Sequence, residues 1–545
     1  MILLLASAAL AGAIAALVIA AGASLAAPLA SGRDHVRLAF GIGGLGLASL
    51  LVFIGYWMHP ILGAVLSVLV IVGSAVRLIA RRAWRSLAAA LPILLGTGGV
   101  VVVYVAAVCL WSPAEAGFAI VTTHFSDLGL PSDSIIPFLF SDRLASGLPT
   151  HLLIDDWNGS DRPPLQSGFL LLERVLVAPL GAEATAAAGA GIVAQALWVP
   201  ALFAALRSAG LTRAAGWVTV AFVALSGTVF VNTVYTWPKL LSAALVLCAC
   251  VMLVDAIRRP RAFPVAFPAA VVLFVLGMLA HGAAAFAAPL LVLLGLIAYR
   301  RQPRRAVVWT TAIALGAGAL AYLPWLLYQR LADPPGDRLV KWHLAGAVAL
   351  DDRSAGQALA DAYSSLTPLT WLQGRLGNLL TIVHPNLLEG APSPLLRRSA
   401  EFFTTTTSLG LSLVFMLAIL LALVVRRRPL GLADRLLLFV LAASTASIAL
   451  WALLMFTPGS TIAHQGSHVW VLLLLAAPIA WLLRRHRRLT LAALGAQALL
   501  FGLVYLPQPQ PGPLSLAAVA VGLAGACCVA SAIWLSRVRR MPRRR

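Results

Sequence analysis

The sequence is short of charge. Only 11% of its 545 residues are Asp, Glu, Lys or Arg, against about a quarter in an ordinary soluble domain. Lysine is nearly absent, represented by Lys239 and Lys341 alone, and the chain has only 19 acidic residues. With 61% of its residues hydrophobic, a chain of this composition is not a water-soluble globule. The alternation of apolar and polar residues that a membrane β-barrel requires is missing as well. Cysteine is scarce: Cys109, Cys248, Cys250, Cys527 and Cys528 all fall within apolar runs. They lack the spacing of a metal site or a disulfide framework and read as small packing residues.

What is present is a succession of apolar runs, each of roughly the 17–25 residues that cross the hydrocarbon as a helix. The approximate spans are 3–27, 38–56, 61–79, 88–111, 183–206, 216–234, 239–257, 264–280, 282–299, 306–328, 406–425, 436–456, 469–483, 489–506 and 514–535. The expected fold is therefore all-α, a polytopic transmembrane bundle of about fifteen helices. The first run, Leu3 to Ala27, has no basic residues before it, and Arg33 and Arg37 follow it. It reads as an uncleaved first helix with its N-terminus outside, not as a signal peptide.

The net charge of +21 raises the question of nucleic acid. The arginines, however, sit in short clusters between spans, at Arg81–Arg85, Arg258–Arg261, Arg300–Arg305, Arg426–Arg428 and Arg484–Arg488. Under a fifteen-helix count all five clusters and the tail from Arg537 to Arg545 fall on one face. By the positive-inside rule that face is cytoplasmic, and nucleic acid is not expected as a partner. The basic tail suits a surface of anionic lipid. Only Asp34, Asp255 and Asp434 share that face; the other acidic residues gather on the opposite one, in two long polar segments at about 112–182 and 329–405.

The first of these segments carries His124, Asp127, Asp133, Asp142, Asp155, Asp156 and Asp161 among Pro, Gly and Trp. From Asp133 to Leu144 the apolar residues recur at helical spacing, which predicts an amphipathic helix at the membrane surface with Asp133 near its start. Asp155-Asp-Trp-Asn-Gly-Ser-Asp-Arg-Pro-Pro-Leu-Gln follows, and then an apolar stretch, Phe169 to Leu180, interrupted by Glu173 and Arg174. Too short and too charged to cross, that stretch is expected at the interface. The later polar segment holds Asp333, Asp337, Arg338, Lys341, His343, Asp351, Asp352 and Arg353, then Trp371 and an amphipathic stretch to Leu388. A last small loop has His464 and His468 four apart with no acidic third ligand, which is not a zinc pattern.

In order and placement these features resemble the GT-C glycosyltransferases, polytopic enzymes that use polyprenyl-phosphate sugars and include protein O-mannosyltransferases and lipid A aminoarabinose transferases. The resemblance rests on an acidic residue opening a surface helix that ends at Gly147, and on Asp161-Arg162-Pro-Pro-Leu before an amphipathic stretch. Gly277-Met-Leu-Ala-His281-Gly282 at a helix break and Leu323-Pro324-Trp325 ahead of the second loop complete it. It covers about 88–335. It implies a division into an N-terminal three-helix extension (1–87), a catalytic core (88–335) that includes the first outer loop, a second outer loop (336–405), and C-terminal helices with the basic tail (406–545). Two departures stand out. Asp133 has serine on both sides where the family often has adjacent acidic residues, and Tyr235-Thr-Trp-Pro-Lys239 occupies a place where many members carry Asp.

The implied activity moves a sugar from a polyprenyl-phosphate donor to a glycan, lipid or protein acceptor outside the cell membrane. Inverting transfer through an oxocarbenium-like transition state needs a carboxylate to take the acceptor proton and cations to hold the departing phosphate. The resemblance assigns the base to Asp133, with Asp161 second; Arg162, Lys239 and His281 are the candidates for the phosphate. Each has a plainer reading: Asp133 as a helix cap, Asp161–Arg162 as a local pair, Lys239 as an interfacial anchor, His281 as a helix-break residue. No cofactor is implied. A divalent cation at Asp155-Asp156 has no further spaced ligands, so no metal site is assigned. Two other classes compete. A polymerase of the O-antigen-ligase type would place essential arginines later, at Arg338 and Arg353, and a transporter or flippase would carry midplane charges and internal repeats, which the spans lack.

Overall fold

A computed structural model describes residues 1–28, 33–81, 84–111, 132–178, 183–382, 405–425, 429–456, 458, 468–506 and 515–538. His124, Asp127, His464, the Arg426–Arg428 cluster and the end of the basic tail lie outside them. Among the described residues there are helices and no strands, apart from a single antiparallel bridge between Ile154 and Trp157. Fourteen helices, from Ile2–Leu25 to Leu516–Arg537, are long and apolar enough to cross a bilayer, so the chain is a multi-pass membrane protein.

The crossing expected at 216–234 is not a straight helix. Arg213–Ala224 and Gly227–Val234 meet at an angle of 76°. A bend within lipid frees backbone carbonyls that have no water to turn to. Here Tyr104 donates its hydroxyl proton to the carbonyl of Ala224 at 2.6 Å, and the Gln497 amide donates to that of Leu225 at 2.8 Å.

The contacts at the two ends of the bundle decide whether this bent pair counts as a crossing. At one end Arg33 pairs with Asp255, and Arg213 with Asp34 at 2.5 Å. At the same end Arg301 donates to the carbonyl of Ile257 at 2.9 Å and Arg484 to that of Ala209 at 3.0 Å. The opposite end joins Asp133 to Arg162, Arg338 to Asp156, and Trp237 to His281. The chain thus leaves the arginine end at Arg213, reaches the other end by Trp237 and is back at Arg258, a helix of 20 residues later. The bent pair therefore runs from one end of the bundle to the other, and counted as one span it is the fifteenth among the described residues. The three acidic residues expected on the arginine side are each held by an arginine: Asp34 by Arg213, Asp255 by Arg33, and Asp434 by Arg485 at 2.8 Å.

Two elements position the polar end. The first is the helix Leu165–Val177, which the sequence places at the interface. It is instead inserted in the bundle, with every residue from Leu165 to Glu173 buried. Gly168 allows this: a Cβ there would stand 2.2 Å from the carbonyl oxygen of Ser49 in the Asp34–Met58 helix. Of the two charged residues that argued against burial, Glu173 is buried, and Arg174 at the far end reaches Asp142 at 2.8 Å and Glu183 at 3.4 Å. The second element is the first stretch of the chain itself. Residues 1–87 share one hydrophobic core with the rest, through Phe53 against Phe140 and Tyr328, and Gly46 against Leu245 and Leu276.

Candidate functional site

Asp133 lies in a short 3₁₀ turn, Ser132–Ile135, that leads into the helix Ile136–Ala145. Its carboxylate faces Arg162, whose Nη2 is 3.3 Å away. Arg162 leaves a second 3₁₀ turn, Gly159–Asp161, in extended conformation just before Pro163-Pro164 opens the next helix. Its guanidinium lies between two indoles, 4.2 Å from the ring centre of Trp157 and 4.9 Å from that of Trp237. Stacking of this kind attracts a cation to the ring face and holds it in place. Burial draws the guanidinium below its ordinary value while Asp133 and then Asp161 pull it back.

Lys239 is buried at the start of the helix Lys239–Arg258 and shares the electrostatic field of Asp133 with Arg162. The hydroxyl of Tyr235 takes a hydrogen bond from the backbone of Ser134, beside Asp133. A carboxylate, a guanidinium, a buried lysine amine and a phenol therefore meet from three separate stretches of chain.

The turn that delivers Tyr235, Trp237 and Lys239 is strained. Thr236 has φ +60°, unusual for a β-branched residue, and a chain of buried amides holds it there. Gln166 donates to the Thr236 carbonyl at 2.7 Å, and Gln195 donates to Gln166 at 2.8 Å. The Gln195 side-chain oxygen in turn accepts from the backbone N–H groups of Leu240 and Leu241, both at 3.1 Å, the orphan donors at the start of that helix. Gly191 leaves room for Thr236, since a Cβ there would stand 2.8 Å from the Thr236 Cβ. Gln195→Leu is expected to lower the stability of the detergent-purified protein by about 2–3 kcal/mol, because it strands several buried donors and acceptors. Thermal unfolding checks this, and a drop below ~1 kcal/mol would mean that the amides are not what holds the turn.

The remaining sequence candidates are placed as follows. Asp161 closes a capping box: its Oδ2 accepts from the Asn158 N–H at 2.9 Å and the residue is buried. Burial raises its carboxyl above the ordinary range against the opposing Asn158 hydrogen bond and the Arg162 charge. His281 sits at the break between Phe263–Ala280 and the following 3₁₀ turn, where its Nε2 accepts from Trp237 Nε1 at 2.9 Å and its Nδ1 faces the Ala283 N–H at 3.1 Å. A neutral imidazole accepts at one ring nitrogen only, so these two N–H groups compete for a single lone pair. His281 supports Trp237, and through that indole Arg162. Asp156 of the Asp155-Asp156 pair accepts from Arg338 at 2.8 Å, a contact that pulls its carboxyl below the ordinary range.

Several residues at this site carry no sequence motif. Arg338, from the second polar segment, stacks on Trp157 at 3.9 Å, the same indole that Arg162 uses. Asp333 is buried, accepts from the Ser160 N–H at 2.8 Å and lies 2.5 Å from His151. Gln329 donates to the Ser160 carbonyl at 3.0 Å. The end of the Leu-Pro-Trp helix thus fixes the 3₁₀ turn from which Arg162 emerges. Among the described residues no three His, Cys, Asp or Glu side chains converge as metal ligands would. Compared with known proteins, the chain matches no family model, no curated protein and no solved structure.

Proposed function

We propose that the chain is a membrane glycosyltransferase of the GT-C type, transferring a sugar from a polyprenyl-phosphate donor to an acceptor outside the cell membrane. The single observation that carries this reading is the contact of Asp133 with the buried, indole-stacked Arg162 in the shared field of Lys239. In this reading the arginine end is cytoplasmic, the N-terminus and the Asp133 end are outside, and the C-terminal tail is inside.

The roles follow from charge. The acceptor hydroxyl oxygen attacks the anomeric carbon, Asp133 takes its proton, and the bond to the phosphate oxygen breaks with inversion. The negative charge that develops on the departing lipid phosphate meets Arg162, a cation already fixed against two indoles, with the Lys239 amine beside it in the field of Asp133, so that little reorganisation is needed. Asp161 keeps the turn that presents Arg162, and His281 steadies Trp237. Neither needs to touch the substrate.

Arg338 supports a second reading. A polymerase or ligase that relies on later arginines would use Arg338, which lies on the opposite chain segment but on the same indole as Arg162. Arg353 stands apart, exposed and paired with Asp351 and Asp361. The test is turnover in proteoliposomes supplied with a panel of short polyprenyl-phosphate and polyprenyl-diphosphate sugars, read as release of the free lipid phosphate. Turnover of monophosphate donors supports the transferase reading, whereas turnover confined to diphosphate-linked glycans supports the polymerase. Neither release nor saturable binding of any donor sinks both.

A further inference from the structure

The helix Pro368–Leu380, in the second polar segment, is built inside out. Its two buried residues are Arg375 and Asn378, a charged and a polar side chain. Leu369, Leu372, Leu376, Leu379 and Leu380 are between 40% and 67% exposed. At 100° per residue these leucines form one stripe roughly 100° wide, and Arg375 and Asn378 lie on the other side. An amphipathic helix packed on a protein in water has the reverse arrangement.

The inward face has a definite task. The span Leu432–Leu454 ends there, and its last carbonyls need donors. Asn378 donates to the carbonyls of Ala452 and Met455 at 2.9 and 2.8 Å. Arg375 donates to Met455 and, at 2.6 Å, to Phe456, while its guanidinium lies 5.2 Å from the Trp371 ring centre and reaches the Tyr363 hydroxyl at 3.0 Å. Gly377 lets the two segments touch, since a Cβ there would stand 2.7 Å from Pro458. The helix is thus clamped across the end of a membrane span, at the end of the bundle opposite the arginines.

We infer that Pro368–Leu380 is an interfacial helix whose leucine stripe is covered by the acyl chains of the leaflet at that end. Three observations select lipid as the occupant. The stripe continues the lipid-facing surface of the span it caps, where Leu453 and Leu454 are exposed. The helix has no charged residue except Arg375, which points inward; Thr370 and Gln373 are its exposed polar side chains, so no charge on its outer face holds it in water. Trp371 sits at the junction, as aromatic residues do at the hydrocarbon boundary. The second polar segment is therefore held down at the membrane surface, not raised as a separate domain above it. This inference does not depend on the chemistry at Arg162.

Fluorescence depth measurement tests it on the full-length protein. With Cys527 and Cys528 replaced by Ala, Leu372→Cys and Leu376→Cys are labelled with an environment-sensitive dye and reconstituted in phosphatidylcholine vesicles. Asp361→Cys, on the neighbouring helix Ala355–Ser364 and exposed, is the aqueous control. Labels at 372 and 376 should emit at shorter wavelength than the control, be quenched by brominated acyl chains and ignore aqueous iodide, and the label at 361 should behave in the opposite way. The substituted leucines are exposed, so folding is not at stake, and size-exclusion profiles will verify it. Iodide quenching at 372 and 376, or indifference to brominated lipid, overturns the inference. Protection from both quenchers does so too, because it would mean that protein covers the stripe.

Discussion

Asp133→Asn is expected to lower kcat for glycosyl transfer by about 10²–10⁴, the usual contribution of a positioned general base, with little change in KM. The substitution preserves shape and removes only the proton acceptor and its charge. It should not unfold the protein, because the side chain is only partly buried and its one short contact with Arg162 is replaceable by an amide oxygen. The informative comparison is Asp161→Asn. Asp161 is spent on the Asn158 cap, so its loss is expected to cost about 1 kcal/mol in stability and to leave kcat within a few-fold. A release assay on both variants, with thermal unfolding alongside, separates the roles. If Asp161→Asn loses activity and Asp133→Asn keeps it, the assignment of base and cap is reversed.

Much of the architecture was legible because lipid leaves few choices. Apolar length and arginine clusters alone suggest fifteen crossings, and the contacts of Arg301 with Ile257, of Arg484 with Ala209 and of both Arg258 and Arg484 near Gly210 bring the clusters at 258–261, 300–305 and 484–488 to one end. The bend at Leu225-Ser226 was not legible, because hydropathy registers that a segment is apolar and not that it is straight. Ser226-Gly227 was the only local hint. The helix Leu165–Val177 was misplaced for a related reason. Glu173-Arg174 argues for the surface until Asp142 and Glu183, far apart in sequence, are seen to neutralise Arg174.

The same limit divides the site. Asp133 could be named in advance from the resemblance, and Arg162 and Lys239 as cations for the phosphate that it implies. Gln166 and Gln195 could not be, since an uncharged amide in an apolar run leaves no periodic trace, yet they hold the strained turn at Thr236. Trp157 and Trp237 have no role in the sequence reading, and only the fold brings both onto one guanidinium. Asp333 and Arg338 come from the far side of six spans, so their part in fixing residues 156–160 is a purely tertiary fact.

The largest effect on stability is expected at a residue with no side chain. Gly168 stands where the helix Leu165–Val177 crosses Asp34–Met58, and a Cβ there would lie 2.2 Å from the Ser49 oxygen and 2.8 Å from its carbonyl carbon. The colliding atoms are backbone, so no rotamer change relieves the overlap and the two helices must separate. Ordinary overpacking in a core costs about 1–3 kcal/mol, and a clash against main chain belongs at or beyond the top of that range. Gly168→Leu is therefore expected to cost about 3 kcal/mol or more, seen as a large drop in the unfolding temperature in detergent. Gly316→Leu is the matched control, because no atom lies within 4 Å of a Cβ built there on its lipid-facing helix. Transfer should fall with Gly168→Leu even in the fraction that stays folded. Gln166 is two residues away, and any displacement of its helix loosens the carbonyl of Thr236 and with it Trp237 and Lys239. Equal stability of the two leucine variants would mean that the embedded helix is not packed on Ser49, and the placement of Arg162 that depends on it would have to be redrawn.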